Sequence, residues 1–208
     1  MNRKNKNQKG FTLIELMVTV AVAIILLGVG IPLFDTMMAN NRAVTQNNSF
    51  VTAINLARSE AVSKNITSTI CAFEATDDYP DDFDCGASDD WTNGWFVFND
   101  EDADSDYDNG ETVIKIWAPL VNNADIDFTA SDGSTEGVIS FNSLGEKVSL
   151  AELSFRIAQG DGDGNIATSS QPRCIYLNAI GQLRTARATT DDGDPLKKGD
   201  PLSDATCL

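Results

Sequence analysis

Histidine is absent from the 208 residues. Its absence removes the usual general base of nucleophilic triads and the imidazole ligands of most zinc sites. There is also no Gly-x-Ser-x-Gly elbow and no phosphate-cradling Gly-rich loop ahead of a helix. Carboxylates are left as the acid/base material. In so acidic a chain they read as solvated surface, so no catalytic residue is assigned and no enzyme is expected. Positive charge is scarce as well: 15 Lys and Arg stand against 31 Asp and Glu, a net charge of −16. Four of the basic residues (Arg3, Lys4, Lys6 and Lys9) lie in the first ten positions, where there is no acid. The rest of the chain repels nucleic acid overall, and DNA contact would require a strongly local basic patch.

Cysteine is limited to Cys71, Cys85, Cys174 and Cys207, with no C-x-x-C pair among them. Outside the cytoplasm an even number of cysteines favours disulfides. Three connectivities are open. Cys71–Cys85 and Cys174–Cys207 are the expected pairs because each closes a local loop. By chain-entropy arguments the first is worth about 3 kcal/mol.

What the chain does have is an apolar run from Phe11 to Phe34 with one acid, Glu15, near its start. The run is long enough to cross a bilayer, and no Ala-x-Ala cleavage site ends it as in a conventional signal peptide. The four basic residues before it place the amino end in the cytoplasm and everything after Phe34 outside the inner membrane. A carboxylate at the centre of a spanning helix costs about 2.5–3.5 kcal/mol, and less near the ends. Glu15 therefore calls for a partner charge.

These residues resemble a known leader. Lys9-Gly10 followed by Phe11-Thr12-Leu13-Ile14-Glu15-Leu16 is similar to the class III leader of type IV pilins and type II secretion pseudopilins. The resemblance implies that a prepilin peptidase cuts between Gly10 and Phe11 and methylates the new Phe11 amine. It also implies that Glu15 meets the amino-terminal charge of a neighbouring subunit and so sets filament register. Pro32 lies where pilins commonly carry a helix-loosening proline, and Gly28 and Gly30 would weaken the helix further.

Beyond the membrane run the helix is expected to continue to about Lys64, roughly 80 Å in all at 1.5 Å per residue. Val44, Val51, Ile54, Ala57/Arg58 and Ala61 follow a three-to-four spacing that gives this half one apolar face. Asn47, Asn48, Asn55 and Ser59 fall mostly elsewhere. After Asn65 the pattern shifts toward period two, and residues 67–73, 95–98, 112–117, 126–128, 138–141, 153–157 and 174–177 read as strands. Turn clusters at 92–94, 108–110, 132–133 and 160–164 separate them. The expected organisation is a leader at 1–10, a membrane half-helix at 11–34, an amphipathic half at 35–64 and a β-rich head at 65–208. The fold class is α+β: a long amino-terminal helix packed on an antiparallel β-sheet domain.

Several segments resemble GspH/FimT-type minor pilins in order along the chain. Asn55-Leu56-Ala57-Arg58-Ser59-Glu60-Ala61 is similar to the end of their helix. Gly94-Trp95-Phe96-Val97-Phe98 followed by Asn99-Asp100 is similar to their strand entering an acidic hairpin loop. Phe141-Asn142-Ser143-Leu144-Gly145 and the stretch from Cys174 to Arg184 are similar to their later strands. Some FimT-type pilins carry a Gly-Arg-x-Arg motif that contacts DNA. Here Gln182 replaces its first arginine, and Arg184, with nearby Arg187, is left as the possible contact.

The densest acidic run is 100–111. Asp100, Asp102, Asp104, Asp106, Asp108 and Glu111 fall on ligand positions of a calcium loop, although Ser105 stands where an EF-hand has glycine. Asp161-Gly162-Asp163-Gly164-Asn165 is a weaker second candidate. No other cofactor is implied. The expected function is that of a minor type IV pilin that primes or caps a pilus. Its expected partners are other minor pilins, the major pilin, the prepilin peptidase and the inner-membrane assembly platform. The H-type minor pseudopilin of type II secretion is the alternative, and a DNA-binding pilin the second.

Overall fold

The computed structural model describes residues 11–73, 85, 91–108, 110–120, 124–134, 137–159 and 172–187. Helix α1 spans Leu13–Lys64 and continues through Pro32. The chain divides into two compact units, Met1–Met37 and Met38–Leu208. In the first, Leu13–Ile31 has a mean hydropathy of 2.6 and none of it is buried. It is long and apolar enough to cross a membrane.

In the second unit, α1 buries Ala39, Ala43, Phe50, Ala53, Ile54, Ala57 and Ala61. This face is offset from the expected one, because Val44 and Val51 are only partly buried while Ala43 and Phe50 are fully covered. Alanine is the physical reason. Five of the seven buried apolar side chains are alanines, which carry little hydrophobic signal, and Phe50 is the largest of the seven. Its ring lies 5.1 Å from Trp91, 5.0 Å from Trp95 and 4.7 Å from Phe155. Asn47 also falls on the buried face, contrary to the expected polar side. The helix ends where Asn65 turns to φ 57, a left-handed conformation that asparagine tolerates as a carboxyl-terminal cap. The Ile66 amide bonds back to the Ala61 carbonyl at 3.3 Å, and Lys64 pairs with Glu60 at 2.9 Å.

The strands are β1 (Thr67–Ala72), β2 (Trp95–Asp100), β3 (Thr112–Trp117), β4 (Ala124–Ala130), β5 (Val138–Phe141), β6 (Leu153–Gln159), β7 (Arg173–Leu177) and β8 (Leu183–Arg187). They form two four-stranded sheets, ordered β3-β2-β1-β5 and β4-β6-β7-β8, with every named pair antiparallel. The α+β class is as expected, with the strands divided between two sheets. The main core joins the α1 face to Ile70, Trp95, Val97, Ile139 and Phe141 of the first sheet and to Ile126, Phe155, Ile157 and Ile175 of the second.

The first sheet is covered on its other face as well, where Cys71, Phe73, Phe96 and Phe98 pack with Cys85 and Tyr107. Cys71 and Cys85 are disulfide-bonded, as expected, with a Cα–Cα distance of 5.3 Å. Cys174 is disulfide-bonded too. The expected Cys174–Cys207 pairing ends on a residue outside those described. In the second sheet Arg156 is nearly buried and pairs with the half-exposed Asp127 directly across from it on β4.

Candidate assembly surface

The amino-terminal end of α1 is built by Thr12. Its carbonyl accepts the Leu16 amide at 3.2 Å and its hydroxyl oxygen accepts the Glu15 amide at 3.3 Å. Thr12 is thus the cap of the helix, and Glu15 sits in the first turn, where the helix dipole favours an acid. The sequence signal is the Thr-x-x-Glu spacing, which reading the segment only as a membrane run overlooks. The cap bond is to the backbone amide of Glu15. Its side chain is exposed among Phe11, Leu13, Ile14 and Leu16, all exposed, and no cation pairs with it among the described residues. Phe11 is described and exposed, whereas Gly10 lies outside the described residues. Pro32 lies within α1.

At the far end of the same helix, three segments singled out from sequence meet. Arg58 Nη1 donates to the Gly181 carbonyl at 3.1 Å, across 123 residues of chain. Gly145, at φ 75, sits so close to α1 that a Cβ there would lie 2.9 Å from Val62 Cγ2 and 3.2 Å from Arg58 Nε. Gly181, at φ 77, would place a Cβ 3.2 Å from both the Gly145 carbonyl oxygen and Phe141 Cε1. The two glycines close matching Asn-x-x-Gly turns. The Gly145 amide donates to Asn142 O at 2.8 Å and the Gly181 amide to Asn178 O at 2.9 Å. Asn142 Oδ1 accepts the Leu144 and Glu146 amides, both at 3.0 Å, and Asn178 Oδ1 accepts the Gln182 amide at 2.7 Å. Stacked on each other and held by Arg58, the turns fix both sheets to the helix. They also leave Leu144 and Ile180 exposed at their tips.

Arg184 and Arg187 lie on β8, an edge strand whose last four residues are exposed. Three positions apart on a strand, they point to opposite faces. Arg187 stands across from Arg173, and Arg184 across from Tyr176. Arg173 and Arg187 line one cleft with Asn47 and Thr185, away from Arg184. A hydrogen bond to Glu152 raises the Tyr176 phenol above its ordinary pKa, an effect that Arg184 opposes.

In the acidic run, one carboxylate oxygen from each of Asp100, Asp102 and Asp104 lies within 4.8 Å of the others. Glu111 is occupied elsewhere: its two oxygens accept the Glu101 amide at 2.8 Å and the Asp108 amide at 3.0 Å. Asp106 Oδ1 accepts the Tyr107 amide at 2.9 Å, and Asp108 is outside the converging group. The second acidic candidate, 161–165, lies outside the described residues.

Comparison with known proteins identifies two matching families. Residues 46–181 match the type II transport protein GspH family, and residues 5–31 match the prokaryotic N-terminal methylation motif. Among solved structures, the type IV minor pilin FimU of Pseudomonas aeruginosa is 17% identical with a TM-score of 0.46, covering 83% of this chain and 95% of its own. The minor pseudopilin EpsH of the Vibrio cholerae type 2 secretion system is 12% identical with a TM-score of 0.47, covering 70% and 97%. No curated protein sequence is significantly similar to the chain. With its methylation motif at the start of α1 and the GspH match across most of the remainder, the chain belongs to the type II transport protein GspH family of minor pilins and pseudopilins.

Proposed function

We propose that the chain is a minor type IV pilin that helps prime or cap pilus assembly, a structural subunit and not a catalyst. Residues 1–10 act as the leader, which the prepilin peptidase removes between Gly10 and Phe11 before methylating Phe11. The apolar part of α1 holds the subunit in the inner membrane, amino end in the cytoplasm and head in the periplasm. Assembly transfers it into a filament, where Glu15 pairs with the amine of a neighbour. Its partners are other minor pilins, the major pilin and the inner-membrane platform.

The observation that carries this reading is Glu15 itself. An exposed carboxylate with no cation paired to it among the described residues stands in the first turn of a helix that is otherwise apolar enough to cross a membrane. A second subunit's ammonium is the simplest group that relieves its cost in lipid. The family's description favours a second reading, an H-type pseudopilin of type II secretion. Deleting the gene separates the two: loss of pili supports the first reading, and loss of protein secretion with normal pili supports the second. Processing tests what both share. Gly10→Val is expected to leave the full precursor in the membrane, whereas the wild type yields a chain starting at methylated Phe11 by intact-mass measurement. Normal cleavage of the variant would count against leader processing at this site.

A further inference from the structure

The acidic connection between β2 and β3 contains seven acids and no base from Asp100 to Glu111. Tyr107 anchors it, with ring contacts at 5.5 Å to Phe96 and 5.3 Å to Phe98. Glu111 closes its base through the two backbone amides described above. Burial pushes the Glu111 carboxyl above its usual range against those amide bonds, and the Asp100 and Asp102 charges add to the upward push. Ala103 and Ser105 take φ 63 and 71, so Ser105 adopts the backbone for which an EF-hand uses glycine.

Asp100 supplies the separate observation. It is the last residue of β2 and is fully buried. Its Oδ2 accepts the Thr69 hydroxyl at 2.9 Å and the Ser105 amide at 3.1 Å, while its Oδ1 is buried with no partner among the described residues. A buried carboxylate oxygen without a donor or cation is costly. Lys147 does not relieve it: that ammonium shares a cavity of about 180 Å³ with Ser105 and Ser140 but donates to the Ser149 carbonyl. Asp102 and Asp104, both exposed, bring the other converging carboxylate oxygens to Asp100.

We propose that Asp100, Asp102 and Asp104 bind a calcium ion in the β2–β3 connection. Calcium takes 6–8 oxygen ligands in flexible geometry. Three carboxylates would be completed by loop carbonyls and water. The ion would satisfy the orphaned Asp100 oxygen and offset the repulsion among the loop's acids. The proposal stands apart from the filament role, because it concerns only the head's own residues.

Calorimetry of the full-length protein in detergent, titrated with calcium chloride, tests it. One saturable site is expected, with a dissociation constant in the range of about 10⁻⁴–10⁻³ M found for extracellular modules, and a higher melting temperature when it fills. Asp102→Asn and Asp104→Asn, both at exposed positions, should each weaken binding about tenfold or more. Asp132→Asn, in the turn between β4 and β5 and outside the converging carboxylates, should leave it unchanged. Absence of saturable heat up to about 10 mM calcium would overturn the proposal. So would wild-type affinity in an Asp102→Asn/Asp104→Asn double variant, and equal affinity for magnesium would overturn the assignment to calcium.

Discussion

Glu15→Val is expected to leave the protein cleaved and inserted in the membrane but at least about tenfold depleted from filaments, a loss that requires only about 1.4 kcal/mol of contact energy. Insertion cannot explain such a defect, because valine removes the one group that opposes burial in lipid. On the proposed register role, what disappears is the pairing with a neighbour's amine in a medium where charges interact strongly. Glu15→Gln separates charge from shape: it keeps the size and hydrogen-bonding capacity of the side chain, and it should fail as valine does. The check is the ratio of variant to wild type in sheared filaments, normalised to the membrane pool. Equal incorporation of Glu15→Val would contradict the register role, and rescue by glutamine would replace ion pairing with neutral hydrogen bonding.

The second large effect belongs to the stacked turns. Gly145→Ala and Gly181→Ala each force a side chain onto a left-handed residue and into neighbouring atoms at 2.9 Å and 3.2 Å respectively. Each should destabilise the head by about 1–3 kcal/mol. At about 2–4 °C per kcal/mol for a domain of this size, melting should fall by several degrees. Arg58→Ala removes a charge-assisted hydrogen bond to Gly181 worth about 1.5–3 kcal/mol. Combined with Gly181→Ala it should cost less than the two changes separately, because both loosen the same contact. Thermal melts of the four variants read this out. Unchanged melting of Gly181→Ala would show that the turns are not packed as described.

The sequence conveyed most where a pattern repeats or a motif is local. The leader and apolar run are contiguous, and Leu153, Phe155 and Ile157 alternate because they meet the main core, although the other face of that strand is largely covered too. Three features were hidden for physical reasons. β8 lacks an apolar alternation because it is an edge strand with four exposed residues of five, so nothing in Leu183–Arg187 marks burial. The buried face of α1 was read around Val44 and Val51 because alanine carries little hydrophobic signal, although Ala43 and Ala53 are fully buried. Asp100 read as the first ligand position of an acidic loop, and its burial was not visible. It accepts the Thr69 hydroxyl, and Tyr107 packs on Phe98 two residues before it, contacts that local patterning does not encode. The three later motifs were each visible, but their convergence on Arg58 links residues 123 apart and had to be seen in the fold.

The most direct measurement is quantitative mass spectrometry of filaments sheared from cells and freed of membrane. Peptides of this chain are expected there in small proportion to the major subunit, the first of them beginning at N-methylated Phe11. Filaments without the chain, while it remains in the membrane with residues 1–10 attached, would contradict its assignment as a processed filament subunit.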